Sequence, residues 1–208
     1  MKITRRYHSC VELSEGQTSV IIDPGSFEVP ENLAEVDAVL VTHIHPDHVD
    51  AAALTAARGK NPQLAVYGPA ELAGRVDFPY TTVRDGDTFE VGALHIAVHE
   101  SAHGTVTHST PLPENLGFLI NGRVLHTGDS FPELDGVEVA LVPVSAPWLK
   151  MLDVEDYLRT NRPTRFIGVH DGIDNDFGLN LRRRLLGALA EEHSLEYLPL
   201  RPGESVEV

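Results

Sequence analysis

Four side chains of the kinds that bind metals lie within six consecutive positions of this 208-residue chain, which contains eleven histidines. They are His43, His45, Asp47 and His48. In an extended stretch, side chains two residues apart point to the same side, so His43 and His45 can bind one cation together. Asp47 and His48 come after Pro46, where the chain turns, and can face a second cation. Imidazole nitrogens and carboxylate oxygens suit zinc, manganese or iron, so this run predicts a metal site.

The elements on either side of this run would position its side chains. Residues 36–41 are nearly all apolar, which is typical of a strand covered on both faces. Residues 48–58 are rich in alanine and leucine and predict a helix, which Gly59 is well placed to end. The candidate ligands therefore lie in a loop between a buried strand and a helix.

The rest of the chain consists of short β runs separated by turn residues, with a few helices between them. Residues 116–120 and 123–126 predict a hairpin across Asn121 and Gly122. Residues 154–160 and 179–192 predict two further helices. Strands in two groups with helices outside them indicate a layered α/β architecture with packed sheets. No linker or repeat divides the chain, so we expect one domain over residues 1–208.

The run His43-x-His45-x-Asp47-His48 after a hydrophobic strand resembles the signature of the metallo-β-lactamase superfamily. This resemblance implies an α/β fold, the four-layer αββα sandwich, and it extends along most of the chain. Asp23 ends an early strand, and it matches the family's aspartate that supports the metal loop without being a ligand itself.

The other ligands implied by the resemblance follow later strands. Asp129 comes directly after the predicted hairpin and matches the bridging aspartate, and His170 ends an apolar strand and matches the last ligand. The third histidine of the first metal site should follow residues 94–99. His103 is the favoured candidate, with His108 and His99 as alternatives.

His8 is a candidate for a contact with the site or the substrate. Residues 7–9 resemble the Gly-His-Ala/Ser start of the branch related to ascorbate-6-phosphate lactonases and phospholipase D-type members. In that branch an early histidine can approach the metal site. Tyr7 stands where the branch usually has glycine, and a purely structural histidine is the alternative reading of His8.

The resemblance implies a metal-dependent hydrolase with two divalent cations, zinc first and manganese or iron as alternatives. The implied ligands are His43, His45 and His103 for the first ion, Asp47, His48 and His170 for the second, and Asp129 between them. A water that bridges two cations has a lowered pKa and can attack a carbonyl carbon or a phosphorus atom. Asp47 and Asp129 are the predicted catalytic residues, and Asp47 can orient the nucleophile or move a proton.

Composition and net charge indicate which classes of binding partner are disfavoured. The formal net charge is −15, which disfavours phosphate backbones and anionic membranes, so we expect neither nucleic acid nor a membrane as partner. No apolar run is long enough for a transmembrane helix, and the first residues lack the apolar segment of a secretory signal. Cys10 is the single cysteine, which excludes an intramolecular disulfide and suits a cytoplasmic location.

The leading substrate class is a small ester, lactone or phosphoester. Two alternatives are a phosphodiesterase that acts on nucleotides or phospholipids, and a metal-binding protein without turnover. A basic or aromatic rim would favour the phosphodiesterase, and Trp148 and Phe131 are the aromatic residues that could contribute to one. Trp148 is equally compatible with core packing. The apolar strands are compatible with a homo-oligomer.

Overall fold

Two seven-stranded sheets dominate the computed structural model, which describes residues 1–208. The first sheet has the strand order β14-β1-β2-β3-β4-β5-β6, and the second has the order β13-β12-β11-β10-β9-β8-β7. The strands of the first sheet are β1 (Lys2–Arg5), β2 (Val11–Glu15), β3 (Thr18–Ile22), β4 (Ala38–Leu40), β5 (Ala65–Gly68), β6 (Thr81–Thr82) and β14 (Ser205–Glu207). Those of the second are β7 (Thr88–Val91), β8 (Leu94–Glu100), β9 (Leu116–Ile120), β10 (Val124–His126), β11 (Val139–Pro143), β12 (Arg165–Val169) and β13 (Glu196–Tyr197).

Three α-helices cover the outer faces of the sheets: α1 (Ala51–Lys60), α2 (Met151–Asn161) and α3 (Asp176–His193). A short 3-10 helix spans Ala70–Gly74. The side chain of Asp50 accepts a hydrogen bond from the Ala53 N–H at the start of α1, and Asn175 caps α3 in the same way. None of the helices combines the length and the apolar character that a membrane span requires.

The alternation of buried side chains along the strands builds three apolar layers. Leu13 and Ile22 of the first sheet share the largest cluster with Phe118 and Leu141 of the second, so this cluster lies between the sheets. On the outer face of the first sheet, side chains such as Leu54 pack α1 against the strands. A third cluster packs α2 and α3 against the second sheet. The three clusters join four layers, helix, sheet, sheet and helix, which form the predicted αββα sandwich. The fold prediction is confirmed.

Several element boundaries differ from the sequence prediction, and α2 begins at Met151, three residues before the predicted start. The helix after the metal-site run begins at Ala51 instead of residue 48, because residues 46–48 form a turn in which the N–H groups of His48 and Val49 reach the His45 carbonyl. α3 begins at Asp176, three residues earlier than predicted. The last strand, β14, was not predicted, because it forms by pairing with β1 at the other end of the chain.

The topology brings several strand ends to one edge. β3 and β4 are parallel, and β10, β11 and β12 are parallel to one another. β8 also runs parallel to β10, because each is antiparallel to β9. The loops after these strands carry the predicted site residues Asp23, His43, His103, Asp129 and His170. The fold therefore collects residues from distant parts of the sequence at the carboxyl ends of the strands.

Candidate metal centre

The predicted ligand side chains converge in three overlapping groups. Within each group, the potential ligand atoms all lie within 4.8 Å of one another. The groups are His43, His45 and His103; His43, His48 and Asp129; and Asp47, His48, His170 and His8. The first and third groups correspond to the two predicted ion sites, and the second connects them.

Hydrogen bonds orient the histidines of the first group. Thr42 Oγ1 donates to Asp23 Oδ2 at 2.7 Å, so it accepts from His43 Nδ1 at 3.0 Å, and His43 Nε2 is left as the free nitrogen. This nitrogen lies 3.1 Å from Nδ1 of His45. His103 donates from Nδ1 to the adjacent Gly104 carbonyl at 2.7 Å, which leaves its Nε2 facing the cluster.

The histidines of the third group are held in the same manner. His48 Nδ1 donates to Asp23 Oδ2 at 2.7 Å, and its Nε2 lies 3.2 Å from Asp129 Oδ1. His170 Nδ1 donates to the Ser145 carbonyl at 2.6 Å, and its Nε2 lies 3.1 Å from Asp129 Oδ2. A metal-binding histidine usually donates its second nitrogen to a carbonyl or carboxylate in this way, which fixes the ring and its tautomer.

Asp129 lies between the two predicted ion sites because a buried amide holds its loop. Asn115 Oδ1 accepts from the Asp129 N–H at 2.9 Å, and its Nδ2 donates to the Thr127 carbonyl and to Ser130 Oγ. Gly128 has a φ of 61° and approaches Asn115 so closely that a Cβ there would lie 2.4 Å from Oδ1. Sequence reasoning missed Asn115, and nothing in its local sequence marks a partner 14 residues away.

His8 reaches the cluster from the loop between β1 and β2. It is 1% exposed, and its Nδ1 accepts from the Gly172 N–H at 3.0 Å. Its Nε2 therefore carries the proton and donates to Asp47 Oδ2 at 3.2 Å. The His8 ring lies 3.9 Å from that of His170, and the His8 carbonyl accepts the His170 N–H. The structure thus places His8 against both Asp47 and a predicted ligand.

The electrostatics of the cluster favour a bound positive charge. Burial raises the pKa of the Asp129 carboxyl, but His48 and His170 outweigh it and hold this pKa well below its usual range. Burial likewise raises the pKa of Asp47, yet the His8 hydrogen bond and the nearby imidazoles bring it below its ordinary value. Both carboxylates are therefore ionised at neutral pH and require protons on histidines or a cation beside them.

The histidine pKa values point to the same conclusion. Burial lowers the pKa of His43 well below its usual value, so this imidazole is neutral and its Nε2 lone pair can bind a cation. Burial also opposes a charge on His48, but the carboxylates of Asp129 and Asp23 raise its pKa well above the usual value. A cation between the groups can take the place of that proton.

Several buried polar atoms at the centre of the cluster have no hydrogen-bond partner. They are the Nε2 atoms of His48, His103 and His170 and the Oδ1 atom of Asp129. His48 and Asp129 are close, but their orientation does not meet the geometry of a hydrogen bond. Buried polar atoms are normally satisfied, and these nitrogens and oxygens are ligands that zinc accepts. The residues present therefore fit a divalent metal.

The three candidates for the third histidine occupy different environments. His103 is buried in the first ligand group. His108 is exposed in the loop that follows, and His99 is half-buried within β8; both lie outside all the ligand groups. The geometry thus brings together His103 with His43 and His45.

The αββα layers and the histidine–aspartate cluster at the strand ends define a protein of the metallo-β-lactamase class. A family profile for the beta-lactamase superfamily domain matches residues 2–170, and the chain belongs to this family. Protein Rv0786c of Mycobacterium tuberculosis is 32% identical over 180 residues, which cover 83% of this chain and 85% of the relative. A UPF0173 metal-dependent hydrolase of Nanoarchaeum equitans is 30% identical over 166 residues, which cover 74% and 75%.

A solved structure supports the fold independently. The metallo-beta-lactamase fold protein YhfI of Bacillus subtilis superimposes with a TM-score of 0.77 over 99% of both chains, at 17% identity. Together, the family match and the relatives confirm the predicted class of metal-dependent hydrolase.

Proposed function

We propose that this protein binds two divalent metal ions, zinc first among them, and hydrolyses a small ester, lactone or phosphoester. The observation that carries the proposal is the set of buried ligand atoms without hydrogen-bond partners, arranged around Asp129. The proposed ligands are His43, His45 and His103 for the first ion, Asp47, His48 and His170 for the second, and Asp129 for both.

The proposed ligands and the residues that contact them would have separate roles in hydrolysis. Bound cations would supply a water of lowered pKa and would polarise the oxygen of the scissile group. Asp129 has one carboxylate oxygen beside His48 and the other beside His103 and His170, so it can hold both ion sites at a constant separation. Asp23 would keep His48 in the tautomer whose Nε2 is free.

Asp47 is the proposed proton acceptor. Its side chain is 31% exposed, so it reaches the open side of the cluster, and its low pKa keeps it ionised. Oδ2 faces His170 and His48, where it would bind the second ion, and it also accepts the His8 hydrogen bond. Oδ1 is therefore available to take a proton from the attacking water and to return it to the leaving group. His8 is therefore proposed as the residue that orients the Asp47 carboxylate.

Metal content per chain is the first test. The protein is purified without a tag and compared with the double variant His43→Ala/His45→Ala and with His95→Ala, which removes an exposed histidine from β8. We expect about two equivalents of metal in the wild type and in His95→Ala, and at most about one in the double variant.

Activity is then measured on ester, lactone and phosphoester substrates with the metal-loaded proteins. Metal binding with turnover that the double variant loses supports the proposal. A wild-type protein that takes up no zinc, manganese or iron at neutral pH would refute the metal site, and metal binding without any turnover would favour a binding protein.

A further inference from the structure

Two partly exposed aromatic side chains lie beside the metal cluster. The ligands that reach solvent are His45 and Asp47, whereas His43, His48, His103 and Asp129 are buried. Phe27 packs against His8 of the third ligand group, and Trp148 packs against His103 of the first.

Phe27 is fixed beside the third ligand group by its own loop. Gly25 packs so closely on the metal loop that a Cβ there would lie 1.8 Å from the Asp47 carbonyl oxygen, and the Ser26 N–H donates to the Pro46 carbonyl at 2.8 Å. The Phe27 ring then meets the His8 ring edge-on, with 4.6 Å between centroids, while 46% of the residue remains exposed. An aromatic ring held this close to a polar cluster and open to solvent is available for a ligand.

Trp148 is fixed beside the first ligand group. Its Nε1–H donates to Asp129 Oδ2 in a long hydrogen bond of 3.4 Å, and its ring centroid lies 5.9 Å from that of His103. The ring covers Gly104, where a Cβ would lie 2.1 Å from Cδ2, so only glycine leaves room for the indole. Phe131 supports the ring from behind, with 5.9 Å between centroids.

Two arginines near the cluster pair with carboxylates. Arg5 is buried and pairs with Asp171, the residue after His170. Arg182 pairs with Asp174. Anionic groups such as phosphate are commonly oriented by arginine forks, and the side chains packed against His8 and His103 are aromatic instead. The net charge of −15 also disfavours the approach of an anion.

We propose that Phe27 and Trp148 form an apolar cleft across the metal cluster, and that it selects a neutral ester or lactone with an aryl or similarly flat apolar group. The inference rests on the proposed hydrolytic function and names the substrate class of that site. The apolar group would lie between the two rings, and the ester carbonyl would lie over the cluster beside Asp47.

Two ethyl esters test the selection, because they share a leaving group and differ by one phenyl ring. We expect the zinc-loaded wild type to hydrolyse ethyl phenylacetate with a kcat/KM about tenfold or more above that for ethyl acetate. Phe27→Ala should remove most of this preference. Phe177→Ala is the matched control, since Phe177 is 79% exposed and lines a separate depression on α3 with Leu181 and Arg184.

Binding is measured separately from turnover. Trp148 is the only tryptophan in the chain, so the intrinsic tryptophan fluorescence of the zinc-loaded protein reports directly on the cleft. We expect the neutral amide 2-phenylacetamide to change this fluorescence in a saturable way, with affinity weakened about tenfold in Phe27→Ala and unchanged in Phe177→Ala.

The two measurements separate the cleft from the hydrolytic function. Phe27-dependent binding without hydrolysis of either ester would support the cleft and refute the ester hydrolase. Hydrolysis without preference for ethyl phenylacetate, or equal effects of both phenylalanine variants, would overturn the cleft. Absence of saturable binding of 2-phenylacetamide would overturn the cleft as well. So would hydrolysis of bis(4-nitrophenyl) phosphate that is faster than hydrolysis of ethyl phenylacetate and that Phe27→Ala leaves unchanged.

Discussion

Replacing Asp23 by asparagine should disable His48 as a metal ligand without altering any ligand itself. The Asp23 carboxylate is fully buried and accepts from three donors: the Thr42 N–H at 2.8 Å, Thr42 Oγ1 at 2.7 Å and His48 Nδ1 at 2.7 Å. The first donor meets Oδ1, and the other two meet Oδ2. An asparagine that keeps its oxygen toward the Thr42 N–H must therefore direct its NH₂ group at His48 Nδ1.

The consequence for His48 follows from its tautomers. The Thr42 hydroxyl can rotate and accept from the new NH₂ group, but His48 Nδ1 can accept only when its proton has moved to Nε2. Nε2 is the atom that faces Asp129, and a protonated Nε2 cannot bind a metal. Loss of such a supporting hydrogen bond typically lowers metal affinity by about 10- to 100-fold.

The assay is a competitive zinc titration of the wild type, Asp23→Asn and Asp37→Asn. Asp37 is a suitable control because it is exposed and accepts a backbone N–H, from Ser19, far from the cluster. We expect weaker binding of one equivalent in Asp23→Asn alone, while thermal unfolding shows that the variant still folds. Wild-type zinc affinity for both equivalents in folded Asp23→Asn would refute the assignment of the His48 tautomer.

Three further substitutions have expected outcomes. Asp129→Ala should abolish turnover and release at least one metal ion while circular dichroism shows a folded protein; full activity would contradict the two-metal assignment. His8→Phe should keep the bound metals but lower kcat, because Asp47 loses the donor that orients it; an unchanged kcat would contradict this role. Arg5→Met should lower the free energy of unfolding by about 3 kcal/mol in urea titrations, since it leaves the Gly168 carbonyl and Asp171 without their buried partner; an unchanged midpoint would contradict it.

The local part of the site could be predicted from the sequence. His43, His45, Asp47 and His48 lie so close along the chain that covalent geometry alone restricts them to one small region. The apolar run before them and the helix pattern after them indicated a strand-to-helix loop, and the structure has this loop. Resemblance to the superfamily then singled out residues at the ends of later strands, and these converge on the same region.

Tertiary structure alone decided the features that depend on contacts between distant segments. His103 and His108 follow the same strand, and the sequence favoured His103 but left His108 open; in the structure only His103 is buried against His43 and His45. Asn115 and Arg5 have no local signal, because their partners lie 14 and more than 160 residues away. The same holds for β14, which forms only against β1.

Local sequence determines which side chains are near one another along the chain and which secondary structure they favour. It does not determine which nitrogen of a histidine is free, since that depends on acceptors such as Asp23 and the Ser145 carbonyl, supplied by other elements. Nor does it determine that Phe27 packs against His8 and Trp148 against His103. Those facts follow from the packing of the two sheets, which brings the loops at their carboxyl edges within contact distance.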